Sequence, residues 1–201
     1  MDLTEVIDAR DHVRGQRLTG DMAPGGSVRG VSFEACTFAD CRLDKAEFRG
    51  CEFDGCTFTN CSLSFAVFGS STFSECRFEA CKGLSVDWAR AHVNPLSTAP
   101  MAFADCRLDY SRFTRMDLRQ WDFLRCSLKD VDFDSTRLAG ARMADCDLES
   151  AVFTDSDLRG LDLRGSSNYF FDVRRNRVEG LKVSPGAGVA LLGAFDIDYL
   201  G

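Results

Sequence analysis

One register of this chain repeats every five residues, and few folds can use such a period. Stepping from Phe33 gives Phe38, Leu43, Phe48, Phe53, Phe58, Leu63, Phe68, Phe73 and Phe78. The same phase resumes at Phe103, Leu108, Phe113, Leu118 and Phe123 and runs on to Leu163. Between residues 33 and 163 the register has 27 positions, and 22 of them are Phe or Leu, too many for chance. All ten cysteines lie two residues before such a centre: Cys36, Cys41, Cys51, Cys56, Cys61, Cys76, Cys81, Cys106, Cys126 and Cys146. The other positions are mostly Asp, Arg, Ser, Thr, Gly and Glu, so each pentad reads small, polar, large, polar, polar.

An α-helix cannot align these centres. At about 100° per residue, five residues turn about 500°, and the centres spiral round the axis. A long strand fails because its inward period is two. A three-residue strand followed by a two-residue bend fits, with the first and third strand residues facing inward. Sorting the pentads by twenty piles like on like. Phe33, Phe53 and Phe73 fall in one column with Phe113, Phe133 and Phe153, broken at Val93. Cys36, Cys56 and Cys76 form the next, Cys41, Cys61 and Cys81 the third, and Cys106, Cys126 and Cys146 the fourth. Twenty residues therefore make one coil of an all-β solenoid with four sides, each coil bonded to the next.

Runs such as CTFADCRLDKAEFRGCEFDGCTFTNCSL (36–63) and LESAVFTDSDLRGLDLRG (148–165) resemble pentapeptide-repeat proteins. The resemblance implies a right-handed quadrilateral β-helix over residues 31–185, after an N-terminal segment with partial first coils at 1–30. Ser184-Pro185 reads as a helix cap and first helical residue. Residues 186–201 then form a short C-terminal helix and tail. The closing segment, FDVRRNRVEGLKVSP into LLGAFDIDYL, is similar to that of Qnr-type and albicidin-resistance proteins, whose ends are dimer interfaces. That resemblance implies a homodimer through Val189, Leu192, Phe195, Ile197 and Leu200. It also implies that the rod binds DNA gyrase or topoisomerase IV in place of DNA and relieves topoisomerase poisoning, as antibiotic resistance or self-protection. The alternative is a scaffold, or a regulatory or effector protein, with an unknown protein partner.

The pattern weakens over residues 83–102. Gly83 fills a centre, and Pro95 and Pro100 cannot donate to a ladder. Yet the phase survives, so either the coil is distorted there, the simpler arrangement, or a loop of a multiple of five residues leaves it.

Ten cysteines invite a metal or redox reading, but spacings in multiples of five are not those of zinc sites. The thiols read as small buried hydrophobes, with no metal and no cofactor. With no phosphate-binding glycine loop, no paired nucleophile and base, and only His12 and His92, the chain is not expected to be an enzyme. The repeated Asp residues, such as Asp117, Asp157 and Asp162, read as solvated or turn-capping side chains. A net charge of −7 speaks against direct nucleic-acid binding. The absence of a long apolar run or a signal-like N-terminus points to a cytoplasmic protein with no membrane contact.

If no loop is inserted, one side of the rod is acidic. It carries Glu34, Glu52, Asp54, Glu75, Asp132, Asp134 and Asp155, together with Asp172, against Arg112, Arg115, Arg174 and Arg175. Its first three coils hold Glu34, Glu52, Asp54 and Glu75 and no base. With strands ~4.8 Å apart, that patch has one charge per ~3.6 Å, near the ~3.4 Å of one DNA strand.

Overall fold

The residue two after each centre makes the bend. In the computed structural model, which describes residues 2–3, 11–94, 97 and 99–195, this residue takes a left-handed backbone conformation in coil after coil. Asp40 has φ of 56°, Asn60 of 52°, Asp105 of 55°, and Gly50 and Gly140 of 60° and 72°. Only Gly, and to a lesser degree Asn and Asp, enter this region easily, which explains the polar composition of the register. The strands consequently run one residue later than the sequence suggests, as Thr37–Ala39, Glu52–Asp54 and Thr57–Thr59. Both inward registers hold. Cys36 and Phe38 are buried, and Thr37 between them is not.

Parallel pairing at an offset of twenty builds the four sides. Ser32–Glu34 pairs with Glu52–Asp54, and that strand with Thr72–Ser74, on the first side. Thr37–Ala39, Thr57–Thr59 and Arg77–Glu79 line the second. Bridges from Arg42 to Ser62 to Lys82 mark the third, and Glu47 to Val67 the fourth. Phenylalanine columns fill the interior. Phe33, Phe53 and Phe73 stack at 5.3 and 4.8 Å, and Phe38, Phe58 and Phe78 at 4.5 and 4.6 Å. Neighbouring columns meet edge to face, as Phe33 and Phe38 do at 5.1 Å, which suits the ring quadrupoles. The coils also extend upstream of residue 31, where His12–Arg14, Arg17–Leu18 and Ser27–Arg29 pair with the strands above them.

One step breaks the count. Arg77–Glu79 pairs with Ala102–Ala104, twenty-five residues on, and Lys82 and Asp87 bridge to Arg107 and Arg112 at the same offset. The next steps return to twenty. So one coil holds five extra residues, and the distorted coil gives way to an insertion. Residues 83–93 stay in the wall. The Gly83 N–H donates to the Arg107 carbonyl at 2.8 Å, Trp88 is buried, and His92–Val93 pairs with Thr72–Phe73. The extra residues follow Val93, between the first and second sides. Pro95 and Pro100 explain the place: both fall in the bend register, where φ must be positive, and a proline is locked near −65°. Deleting residues 96–100 and replacing Pro95 by Gly is expected to give a folded rod with an unchanged β spectrum. Deleting four residues there is expected to unfold every coil downstream, because each inward side chain would turn outward. Circular dichroism with thermal melting checks both.

The insertion moves every later column round by one side. Phe113, Phe133 and Phe153 do not continue the column of Phe73. They continue Phe48, Phe68 and Trp88, with stacking distances of 5.3 Å for Phe68–Trp88, 6.0 Å for Trp88–Phe113 and 5.4 Å for Phe113–Phe133. Likewise Cys106, Cys126 and Cys146 follow Cys41, Cys61 and Cys81 in one column of sulfurs, where the Cys81 N–H donates to the Cys106 sulfur at 3.4 Å. Each thiol donates to a carbonyl of the preceding coil, such as Cys36 to Val13 at 3.3 Å and Cys56 to Phe33 at 3.2 Å. Burial pushes the Cys36 and Cys51 thiols above their ordinary range, so they stay neutral donors. All ten cysteines are free and buried. A native sample should therefore leave a thiol reagent such as dithionitrobenzoate uncoloured, and unfolding in guanidinium should release ten equivalents.

At the C-terminal end, Pro185–Ala190 is a single α-helix that passes into a 3-10 turn at Leu191–Phe195. Pro185 opens the helix as expected. The Ser184 hydroxyl does not cap it, because its oxygen accepts from the Gly165 N–H at 2.9 Å. Leu191 is the buried residue of this segment and docks into the core, with half-buried Ala187 packed against it.

Candidate functional site

The acidic patch is built by the strands of the first side below the insertion. First and last strand positions point outward there, so Glu52 and Asp54 are both exposed on either side of buried Phe53. Register places Glu34 beside Asp54 and Asp54 beside Ser74 on successive rungs. Glu75 sits at the bend that follows, with φ of 55°. Glu34 is partly compensated by Arg14 at 3.3 Å, and the His12 ring lies 3.7 Å away. Glu52 and Asp54 have no ion-pair partner among the described residues. Asp11 lies one rung below on the same side and is exposed, which lengthens the strip. Asp11 opens the pentad DHVRG, which belongs to the partial first coils expected at 1–30.

Asp132, Asp134 and Asp155 do not belong to this strip, a correction that follows from the insertion. Asp132 bridges to Arg112 and Val152 on the fourth side, and Asp134 follows it there. Asp132 lies 3.9 Å from Arg112, and Asp134 accepts from the Ser135 hydroxyl at 2.9 Å. Asp155 stands at the edge between the fourth and first sides, 3.6 Å from Arg175. The single acidic side read from a period of twenty is thus two separate groups. Of the seven acidic residues grouped from the sequence, Glu34, Glu52, Asp54 and Glu75 share this face.

Above the insertion the first side is neutralised by its own local chemistry. Within one pentad, Asp before the centre and Arg after it form a two-pronged pair: Asp117–Arg119 at 2.8 Å, Asp157–Arg159 at 2.6 Å, and on the second side Asp162–Arg164 at 2.7 Å. The same Asp oxygens accept the Arg backbone N–H, at 3.3 Å in Asp117 and 3.2 Å in Asp162. These aspartates are turn-capping, as expected, and also ion-paired. The Arg164 guanidinium holds the Asp162 carboxyl down at about 2, and Arg159 lowers Asp157 in the same way. A lowered folded-state pKa adds stability that is full above the unfolded value of about 4 and is lost as pH falls through the folded value. Melting temperature should therefore hold from neutrality to about pH 4 and fall between about 4 and 2. Replacing Arg159 and Arg164 by Gln should lower the plateau and make that fall shallower, because the two carboxyls then titrate more nearly alike in the folded and unfolded chain.

The insertion emerges next to the upper end of the acidic strip. Asn94, Ser97, Ala99 and Pro100 overhang a cavity of about 400 Å³ floored by Trp121 and edged by Arg119 and Gln120. At the far end, Val189 is half-buried, Leu192 and Phe195 are exposed, and the Phe195 ring lies 5.9 Å from the Arg174 guanidinium. Ile197 and Leu200 lie outside the described residues. Among the described residues no group of metal-binding side chains is assembled, and no helix is long and apolar enough to cross a membrane.

Comparison with known proteins agrees with the architecture. A family model described as a pentapeptide repeat region matches residues 31–99 and 96–163. The structure of full-length QnrB1, a plasmid-mediated fluoroquinolone resistance protein, is similar at 19% identity and a TM-score of 0.53, over 92% of this chain and 100% of that one. HetL, a pentapeptide repeat protein involved in heterocyst differentiation regulation from the cyanobacterium Nostoc, matches at 14% identity and a TM-score of 0.40, over 85% of each chain. No curated protein matches by sequence.

Proposed function

The chain belongs to the pentapeptide-repeat family, and from that premise we propose that it is a DNA-mimicking binding protein. Its acidic strip occupies a basic DNA-binding surface on DNA gyrase or topoisomerase IV and protects that enzyme from poisons. The observation that carries this reading is the pair Glu52 and Asp54. Both are exposed on a strand of fixed register and have no ion-pair partner among the described residues. A preformed charge array loses little entropy on binding and releases counterions when it meets Lys or Arg. The fluoroquinolone resistance stated for QnrB1 is consistent with such a partner. On this reading the protein catalyses nothing and works in the cytoplasm, where topoisomerases are.

The protein pairs through its C-terminal end, with Val189, Leu192, Phe195, Ile197 and Leu200 as the apolar residues of the interface. The test is gyrase supercoiling and poison-induced DNA cleavage with the purified protein over a salt series. Protection that weakens as salt rises supports the reading. No effect on either reaction with gyrase or topoisomerase IV at any salt would leave the rod a scaffold for another protein.

A further inference from the structure

The edge between the third and fourth sides carries a self-complementary column. Its bend residues on five successive rungs are Lys45, Phe65, Ser85, Tyr110 and Asp130. Their order is set by the bridges Arg42–Ser62–Lys82–Arg107–Ser127 and by backbone bonds such as Phe65 N–H to Leu84 O at 2.8 Å and Ser85 N–H to Asp109 O at 3.0 Å. All five have positive φ, between 53° and 62°. Phe65 and Tyr110 are the aromatic residues among the described left-handed bends. A bulky side chain is disfavoured in that conformation, and burial does not offset it, since Phe65 is 54% and Tyr110 62% exposed. Neither ring stacks on another among the described residues. Lys45 and Asp130 are exposed and have no ion-pair partner among the described residues.

We infer that this edge binds the same edge of a second copy, antiparallel about a two-fold axis through Ser85. A two-fold contact places residue i on j and j on i. Reversing the column sets Lys45 on the partner copy's Asp130, Phe65 on its Tyr110, and Ser85 on Ser85. Opposite charges meet on the two outer rungs and aromatic rings on the two rungs inside them, and a small residue lies on the axis. A slip by one rung sets Phe65 on Ser85 and leaves both charges opposite uncharged positions or none. The column is about 19 Å long at ~4.8 Å per rung. A contact of that size is smaller than a standard interface and gives a weak, concentration-dependent association. It lies along the rod and is separate from the pairing proposed for the C-terminal end.

The test uses the full chain in sedimentation equilibrium. Lys45→Asp and Asp130→Lys, each alone, should weaken self-association about tenfold, because each makes two like-charge contacts across the axis. The double swap should restore it. Phe65→Gly should abolish edge association with an unfolding midpoint at or above that of the parent protein, since only a strained ring is removed. Ser85→Cys should be cross-linked to dimers by a short bismaleimide, the native thiols being buried. Single charge swaps without effect, or a Ser85→Cys protein that dimerises yet does not cross-link, overturn the proposal. The second result would assign pairing to the C-terminal end alone.

Discussion

Replacing Phe113 by Ala is expected to lower stability by ~3–5 kcal/mol, the range for emptying a large buried side chain from a close-packed core. Phe113 is fully buried and stacks between Trp88 and Phe133, at 6.0 and 5.4 Å, with Phe123 edge-on at 5.9 Å. The coils above and below are pinned by parallel bonds and cannot close over the gap. A solenoid coil touches only its neighbours, so the lost contacts fall on the stack at that point. Hydrogen exchange should speed most in the coils of Phe103 to Phe133 and least near Phe33. Urea unfolding measures the total. By contrast, Cys56→Ala should cost far less, because it removes one sulfur and one weak bond to the Phe33 carbonyl at 3.2 Å.

The period of five made most of this fold legible. It specified which side chains face inward, that four pentads close a coil, and that the thiols are structural. The exact seat of the bend was not visible in hydrophobic pattern alone. It lies in the polar register that ends each pentad, where Gly, Asp, Asn and Ser recur for their tolerance of positive φ. That register also held the clue to the insertion. Pro95 and Pro100 stand where no proline can bend the chain, but five extra residues leave the phase of Phe and Leu untouched, so counting by twenty ran straight through. The cost fell on the site. Asp132, Asp134 and Asp155 were grouped with Glu52 and Asp54 by arithmetic and are separated from them by a corner. Pairing within a pentad was also hidden, since Asp and Arg two residues apart become neighbours only once both point out of the same short strand, as Asp157 and Arg159 do at 2.6 Å. At the C-terminal end the apolar residues were recognisable as a cover, but which of them docks depends on a six-residue helix, and it is Leu191.

The corrected register sharpens the functional account, because it separates two acidic groups that the sequence alone merges. Binding to gyrase, read as inhibition of supercoiling and as relief of poison-induced cleavage, should be lost when Glu52, Asp54 and Glu75 are all changed to Lys. These side chains lie on the outer surface, so the melting temperature should stay close to that of the parent protein. Changing Asp132 and Asp134 to Lys should leave binding within about threefold of the parent, as expected for charges turned away from the contact. The decisive measurement is the side-by-side titration of gyrase with these two variants. The account predicts loss with the first and retention with the second. Equal protection by both, or loss only with the second, would contradict it.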